Sequence, residues 1–326
     1  MNINKIEAGE LLIKAFLKSQ KLSDEEEDLR FEQSCSIDYW RNLNPQLTVC
    51  KDIIDESEVN PIAGNEVDLM LKELKRKRYF ATAQPLISAE KTANMRKAVE
   101  NIKAAGWHEA WCYVYDEFWE ATRTPSLIKL LSGSLGANFK ALPHVVVHYV
   151  HPETGAGWSP HIDFSDRVDR FTVWFAISDA TLQNGCMYIV DSSRIDQALI
   201  DKWTKMQDFT SKETGKILQA TKALPVDAGS ILAWEGDVIH WGAYSSPNVY
   251  PRISLSVVYV REGTTPLNDE IPFLSPIGLP SYAIRMLSIG KAINYYNIHV
   301  LALRKYAKIG VKLVEKYKEQ AISEAI

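Results

Sequence analysis

The period of the chain changes near residue 140, and that change limits what it can fold into. Five β-rich segments follow: ALPHVVVHYVHP (141–152), RFTVWFAISDA (170–180), GCMYIVDSS (185–193), GSILAWEGDVIHW (229–241) and RISLSVVYVRE (252–262). Their β-branched and aromatic residues are those of strands. Turn formers punctuate them at Asn184-Gly185, Asp227-Ala228-Gly229, Glu235-Gly236-Asp237 and Ser246-Pro247-Asn248. Helix is not regularly interposed, so the pattern predicts a sandwich or barrel such as a jelly roll. Residues 194–222 read as a helix-like insertion into it.

Helices flank this core. Residues 1–75 read as helical, polar and peripheral. In LSDEEEDLRFE, Ser23 and Glu26 form a capping-box signature and acids crowd the first turn, where the helix dipole favours them. That acid run is a solvated helix start in preference to a docking face. ISAEKTANMRKAVENIKAAG is a second helix, capped by Ser88 and stopped at Gly106, and TPSLIKLLSGSLG (124–136) a short third. Near the C-terminus Leu303, Tyr306, Gly310, Leu313 and Tyr317 recur at helical spacing, with lysines opposite. This predicts a helix packed on the body of the protein, rather than one lying on acidic lipid.

The chain has 326 residues, 46% of them hydrophobic, ample for one large core or two modest ones. A formal charge of −4 gives no reason to expect a nucleic-acid partner. Cys35, Cys50, Cys112 and Cys186 are scattered without a C-x-x-C, which suits a reducing, cytoplasmic compartment. The N-terminal residues read as a helix instead of a signal peptide, and no apolar run is long enough for a membrane span.

The chemistry concentrates in SPHIDFSD (159–166). Residues i and i+2 of an extended chain point the same way, so His161 and Asp163 can reach one ion. A third donor must come from elsewhere, and His240 in GDVIHWG is the best candidate. Two imidazoles and a carboxylate leave one face of a metal open, as in non-haem Fe(II) oxygenases, although catalytic zinc uses the same set. Arg252, opening the next strand, is either a surface strand-end residue or a bidentate clamp for the far carboxylate of a keto-acid.

Taken in order, HID (161–163), TVWFAISDATLQNGCMYIVDSS (172–193), AGSILAWEGDVIHWG (228–242) and PRISLSVVY (251–259) resemble the phytanoyl-CoA dioxygenase-like family of Fe(II)- and 2-oxoglutarate-dependent oxygenases. The likeness runs from about residue 78 to 262. It implies an α+β fold: a double-stranded β-helix (jelly-roll, cupin-like) core over 78–262, with its insertion at about 194–222. Helical extensions at 1–77 and 263–326 would flank it. It further implies His161, Asp163 and His240 as catalytic iron ligands, Arg252 as the 2-oxoglutarate anchor, and Trp174 beside the keto-acid or in the core. Fe(II), 2-oxoglutarate and O2 would be the cofactors.

Two positions depart from the family. Gly242 stands where a hydroxyl residue often helps the arginine, so Ser254 or His148 would have to substitute. Arg194 replaces the histidine of a P-G-S-H turn. Asp163 is retained, whereas halogenases of this superfamily carry a small residue there, so hydroxylation is the expected outcome. Trp158 and Trp241 are candidate pocket walls. Arg123, Arg167, Arg170 and Arg194 are expected mostly at the surface. His144 and His151 read as structural, with His148 the histidine expected to line the cavity. The expected substrate is a small molecule: a specialised metabolite, an amino-acid derivative or a lipid-like acid. Desaturation, cyclisation or oxidative demethylation would use the same metal site. The competing reading from another class is a metal-binding β-barrel without turnover, a sensor or scaffold. Oligomeric state is not legible.

Overall fold

Strand pairing sorts the β-rich half of the chain into two antiparallel sheets. The computed structural model describes residues 21–152, 155, 157–164, 170–264 and 274–325, with backbone alone for 143–145 and 325. The strands are β1 (Tyr79–Ala81), β2 (Lys140–Val150), β3 (Arg170–Ala176), β4 (Met187–Val190), β5 (Thr221–Leu224), β6 (Ile231–Glu235), β7 (His240–Gly242) and β8 (Arg252–Val260). One sheet runs β1-β6-β3-β8-β2 and the other β5-β4-β7. The extended stretch at Gly157–His161 pairs with β7, placing it on that strand's free edge. The result is the double-stranded β-helix expected from the strand pattern.

Side-chain alternation assigns the two faces of the larger sheet. Phe171, Val173, Phe175, Ile253, Leu255 and Val257 join the main core beneath the helices. Their alternates Trp174, Ala176, Leu232 and Trp234 face the other sheet with Met187 and Ile189. On β8 that inner face is polar, with Arg252, Ser254 and Ser256 in sequence. A polar stripe inside a jelly roll marks its interior as a site, since buried polar groups are costly unless they meet partners.

The helices are α1 (Asp24–Cys35), α2 (Ile37–Leu43), α3 (Gly64–Lys77), α4 (Ala89–Ala104), α5 (Asp116–Glu120), α6 (Pro125–Leu135), α7 (Gln197–Thr204), α8 (Ser211–Ala220), α9 (Tyr282–Tyr296) and α10 (Ala307–Ala325). Ser23 and Glu26 close the capping box, and the Ser88 hydroxyl accepts from the Lys91 amide. The insertion supplies α7 and α8. Among the described residues no helix is long and apolar enough to cross a membrane.

Four expectations need correction. The segment at 229–241 is two strands: Gly236-Asp237 turns the chain, so β6 joins the larger sheet and β7 the smaller. The N-terminal region is not peripheral throughout, because Trp40 is fully buried and stacks on Trp111 at 5.6 Å. The acid run is not merely solvated: Lys308 meets Asp24 and Glu27, and Lys312 meets Glu27 and Asp28, tying α1 to α10. Arg123 and Arg170 are buried, each lying over an aromatic ring, Trp119 and Phe164 respectively. Arg194 is exposed as expected, and Arg167 lies outside the described residues.

Candidate active site

The smaller sheet brings His161 and His240 together through the backbone. Each donates its amide to the other's carbonyl, at 3.0 and 2.9 Å, and their rings lie 4.3 Å apart. Asp163 follows two residues on. Its Oδ1 is 3.5 Å from His161 Nε2 and 3.6 Å from His240 Nε2. One donor atom from each of the three residues falls within 4.8 Å of the others.

Surrounding groups fix the orientation of these donors. His161 Nδ1 lies 2.7 Å from the Ser159 carbonyl and His240 Nδ1 2.9 Å from that of Val238. A carbonyl only accepts, so each Nδ1 carries the proton and each Nε2 turns a lone pair toward Asp163. Asp163 Oδ2 accepts from Thr172 Oγ1 at 2.6 Å and Trp234 Nε1 at 3.0 Å, which leaves Oδ1 for the histidines. Thr172 and Trp234 are opposed in the β3–β6 register, so one cross-strand pair supports the carboxylate.

Electrostatics favours the ligand form at Asp163 and His240. Burial alone would raise the Asp163 pKa, but His240, the His161 contact and the hydrogen bond from Thr172 outweigh it and hold it below the usual carboxylate range. Burial lowers His240 despite Asp163, keeping that ring neutral. At His161 the Asp163 contact and the Ser159 carbonyl overcome burial and raise the value. Two neutral-capable imidazoles and an ionised carboxylate fit a divalent first-row metal.

Arg252 sits beside this cluster and is 2% exposed. Its Nη1 donates to Met187 Sδ at 3.2 Å, Nε has no partner, and the guanidinium lies 5.7 Å above Trp174. Among the described residues no carboxylate pairs with it, and burial pushes its pKa down to about 10. Two residues along the same face, the Ser254 hydroxyl is fully buried and also unpartnered. A buried cation without a counter-ion and a buried hydroxyl without a partner, among the described residues, amount to an incomplete anion-binding pair. Gly242 accounts for the departure from the family pattern: a Cβ there would lie 2.9 Å from Arg252 Nη2 and 2.8 Å from Gly157 Cα.

The remaining candidates divide. His148 opposes Ser254 across β2–β8 and lies 3.4 Å from Ser256 Oγ. Burial, with the Arg252 charge next, pushes its pKa down to about 3, so the ring is neutral. Trp174 is buried under Arg252. Trp158 is 41% exposed with its ring 6.0 Å from that of His161. Trp241 stacks on Tyr188 at 5.5 Å on the outer face of the smaller sheet, away from the triad. His151 is exposed, and the side chain of His144 lies outside the described set. Sequence reasoning missed Thr172 and Trp234. The shared inward parity of Thr172 and Trp174 was the one signal available.

A jelly roll that gathers two histidines and an aspartate, with a buried arginine alongside that meets no carboxylate among the described residues, fits the non-haem iron oxygenases of the double-stranded β-helix class. The sequence profile described as Phytanoyl-CoA dioxygenase (PhyH) matches residues 60–249, more than half of the chain. The chain belongs to that family, and is with it an enzyme using iron and 2-oxoglutarate. Among solved structures it is similar to the non-heme monooxygenase ThoJ in its apo form. The identity is 14% and the TM-score 0.51, over 78% of this chain and 99% of that one. The nickel complex of ThoJ gives 14% and 0.50, over 79% and 100%. The α-ketoglutarate-dependent epimerase SnoN from nogalamycin biosynthesis gives 17% and 0.49, over 66% and 100%.

Proposed function

We propose that this protein hydroxylates a C–H bond of a small molecule. In this reading His161, Asp163 and His240 hold Fe(II), and Arg252 with Ser254 binds the distal carboxylate of 2-oxoglutarate. The observation that carries it is the pairing of the convergent triad with a buried guanidinium that meets no carboxylate and a buried hydroxyl without a partner among the described residues. A zinc hydrolase has no use for that second feature, whereas a dicarboxylate co-substrate completes it with charge-assisted hydrogen bonds.

Bound iron with 2-oxoglutarate activates O2 and supplies the oxidant for C–H cleavage, the co-substrate leaving as succinate and CO2. The chain's own residues decide what that oxidant meets. Arg252 and Ser254 orient the co-substrate from its far end, with Trp174 as a floor under the guanidinium. Thr172 and Trp234 hold the Asp163 carboxylate still and keep it from turning toward substrate. Neutral His148 lines the chamber without adding charge. Retention of Asp163 favours hydroxyl transfer over halogenation. Desaturation, cyclisation and demethylation are separated from hydroxylation by product mass.

The test is anaerobic titration with Fe(II) and 2-oxoglutarate. A weak visible charge-transfer band is expected, lost in His161→Ala and weakened in Arg252→Ala. The same band in both variants would refute the assignment. A screen for succinate release, with product mass as readout, then identifies the substrate; a gain of one oxygen is expected.

A further inference from the structure

A cavity of about 220 Å³ opens beside the triad, at the β2 edge of the larger sheet. At its metal end stand His148 and Trp158. Its opposite wall comes from Ala292 and Tyr296 of α9 and from Val300 and Leu303 just beyond. Those wall residues lie beyond residue 249, where the match to the family ends. The Trp158 ring couples wall to site: it is 6.0 Å from the His161 ring and 6.2 Å, edge-on, from that of Tyr296.

The far end of the cavity is different in chemistry. Glu109 is the one lining residue with a fixed charge, and it is buried. Its Oε2 accepts from Lys103 Nζ at 3.2 Å. Its Oε1 faces His108 Nε2 at 3.8 Å, too long for a hydrogen bond. His108 Nδ1 accepts from the Ala110 amide, and burial keeps the ring neutral, so no second cation meets that oxygen. Lys103 is spent on Glu109 and on the Tyr149 ring, 4.2 Å away. One carboxylate oxygen is therefore left to accept a hydrogen bond at the end of a chamber walled mainly by aliphatic and aromatic side chains.

We infer that this cavity is the substrate chamber, and that it selects a small, largely apolar molecule ending in a hydrogen-bond donor, an amine or hydroxyl. The donor end binds Glu109, and the opposite end passes between His148, Trp158 and Tyr296 to the metal. Tyr296 and Glu109 are then specificity-determining residues. The inference rests on the oxygenase reading above, because it places the reacting carbon at the triad. The volume lies below that usual for drug-sized ligands, which restricts the class to compact molecules. A substrate carrying a carboxylate or phosphate at the distal end would meet an acid there and be rejected.

The test uses three probes of one chain length: hexylamine, 1-hexanol and hexanoate. Binding is followed by intrinsic tryptophan fluorescence of the metal-free protein. It is followed separately by perturbation of the anaerobic Fe(II)–2-oxoglutarate band. Hexylamine and hexanol should bind at least about tenfold more tightly than hexanoate, the gain expected of a hydrogen bond to a charged group. Glu109→Gln should erase the amine preference, and Val300→Phe should weaken all three probes alike. Equal affinity for the three in the wild-type protein, or a preference for hexanoate, would overturn the inference without recourse to a variant. If the band forms but no probe alters band or fluorescence, the chamber is wrong and the oxygenase reading stands. If probes bind as expected but no band forms, the oxygenase reading fails and takes with it the claim that the chamber serves the metal.

Discussion

The residues legible from sequence were those that chemistry demands by type. A histidine and an aspartate two apart on extended backbone and a later histidine stand out as candidate donors by type, while the part given to Arg252 came from the resemblance to the family. Thr172 and Trp234 could not, since a threonine and a tryptophan are ordinary strand residues. Their role arises only because the β3–β6 register opposes them beneath Asp163. Gly242 was legible as a departure from the family but not as a necessity. The reason is steric: Arg252 and the Gly157 backbone fill the space a side chain would take. Gly242→Ser restores the residue type the family often carries, yet it should harm the enzyme. The Cβ must displace either a flexible guanidinium or the backbone leading to Trp158 and His161. The KM for 2-oxoglutarate should rise about tenfold or more, the scale on which small misplacements act. Steady-state succinate release at varied 2-oxoglutarate measures it. An unchanged KM would show that the guanidinium does not work from this position.

Elements were readable where one face is apolar, and obscure where every face is. The helical spacing over 303–317 announced α10, and β-branched and aromatic content announced the strands. By contrast α9 carries Ala283, Ile284, Met286, Leu287, Ile289, Ala292 and Ile293 around its circumference, all buried, so no period stands out. It lies between the sheet and α10 and has no solvent stripe. Close packing against α10 needs Gly290. A Cβ there would lie 2.9 Å from the Gly310 carbonyl oxygen and 3.0 Å from Leu313 Cβ. These are backbone and near-backbone atoms that cannot swing aside. Helix propensity alone favours Gly290→Ala by about 1 kcal/mol. Overpacking opposes it by about 1–3 kcal/mol and should win, lowering stability. Thermal unfolding checks the sign: a lower midpoint is expected, and a higher one would show that the two helices can part at little cost.

At the scale of the whole molecule, the described flanking helical segments are built into the core from which sequence had separated them. Trp40, Trp107, Trp111 and Tyr306 form one aromatic cluster drawn from early, middle and late segments. No single segment carries a signal for it, because the cluster exists only after long-range packing. The contacts of Lys308 and Lys312 with the exposed Asp24 and Asp28 are screened by solvent and contribute little. The pair Arg285–Asp116 differs from them: the partners are 2.6 Å apart and their side chains are 1% and 0% exposed. Arg285 also donates to the carbonyls of Val114 and Pro280, both at 2.8 Å, and Asp116 accepts the amides of Cys50 and Lys51, both at 3.1 Å. Three separate stretches of chain meet at one ion pair. Arg285→Leu would leave the Asp116 charge buried with two amides and no counter-ion, and removal of one partner of such a pair costs about 3–5 kcal/mol. The urea midpoint should fall accordingly, with the slope of the transition preserved if the loss is of stability alone. The folded fraction should still give the Fe(II)–2-oxoglutarate band, because no group at the triad or beside Arg252 is touched. A variant that unfolds at the wild-type midpoint would mean that the apolar packing of α9 alone joins the C-terminal helices to the jelly roll. A variant that keeps its stability but loses the band would mean that α9 reaches the metal site more directly than through the cavity wall.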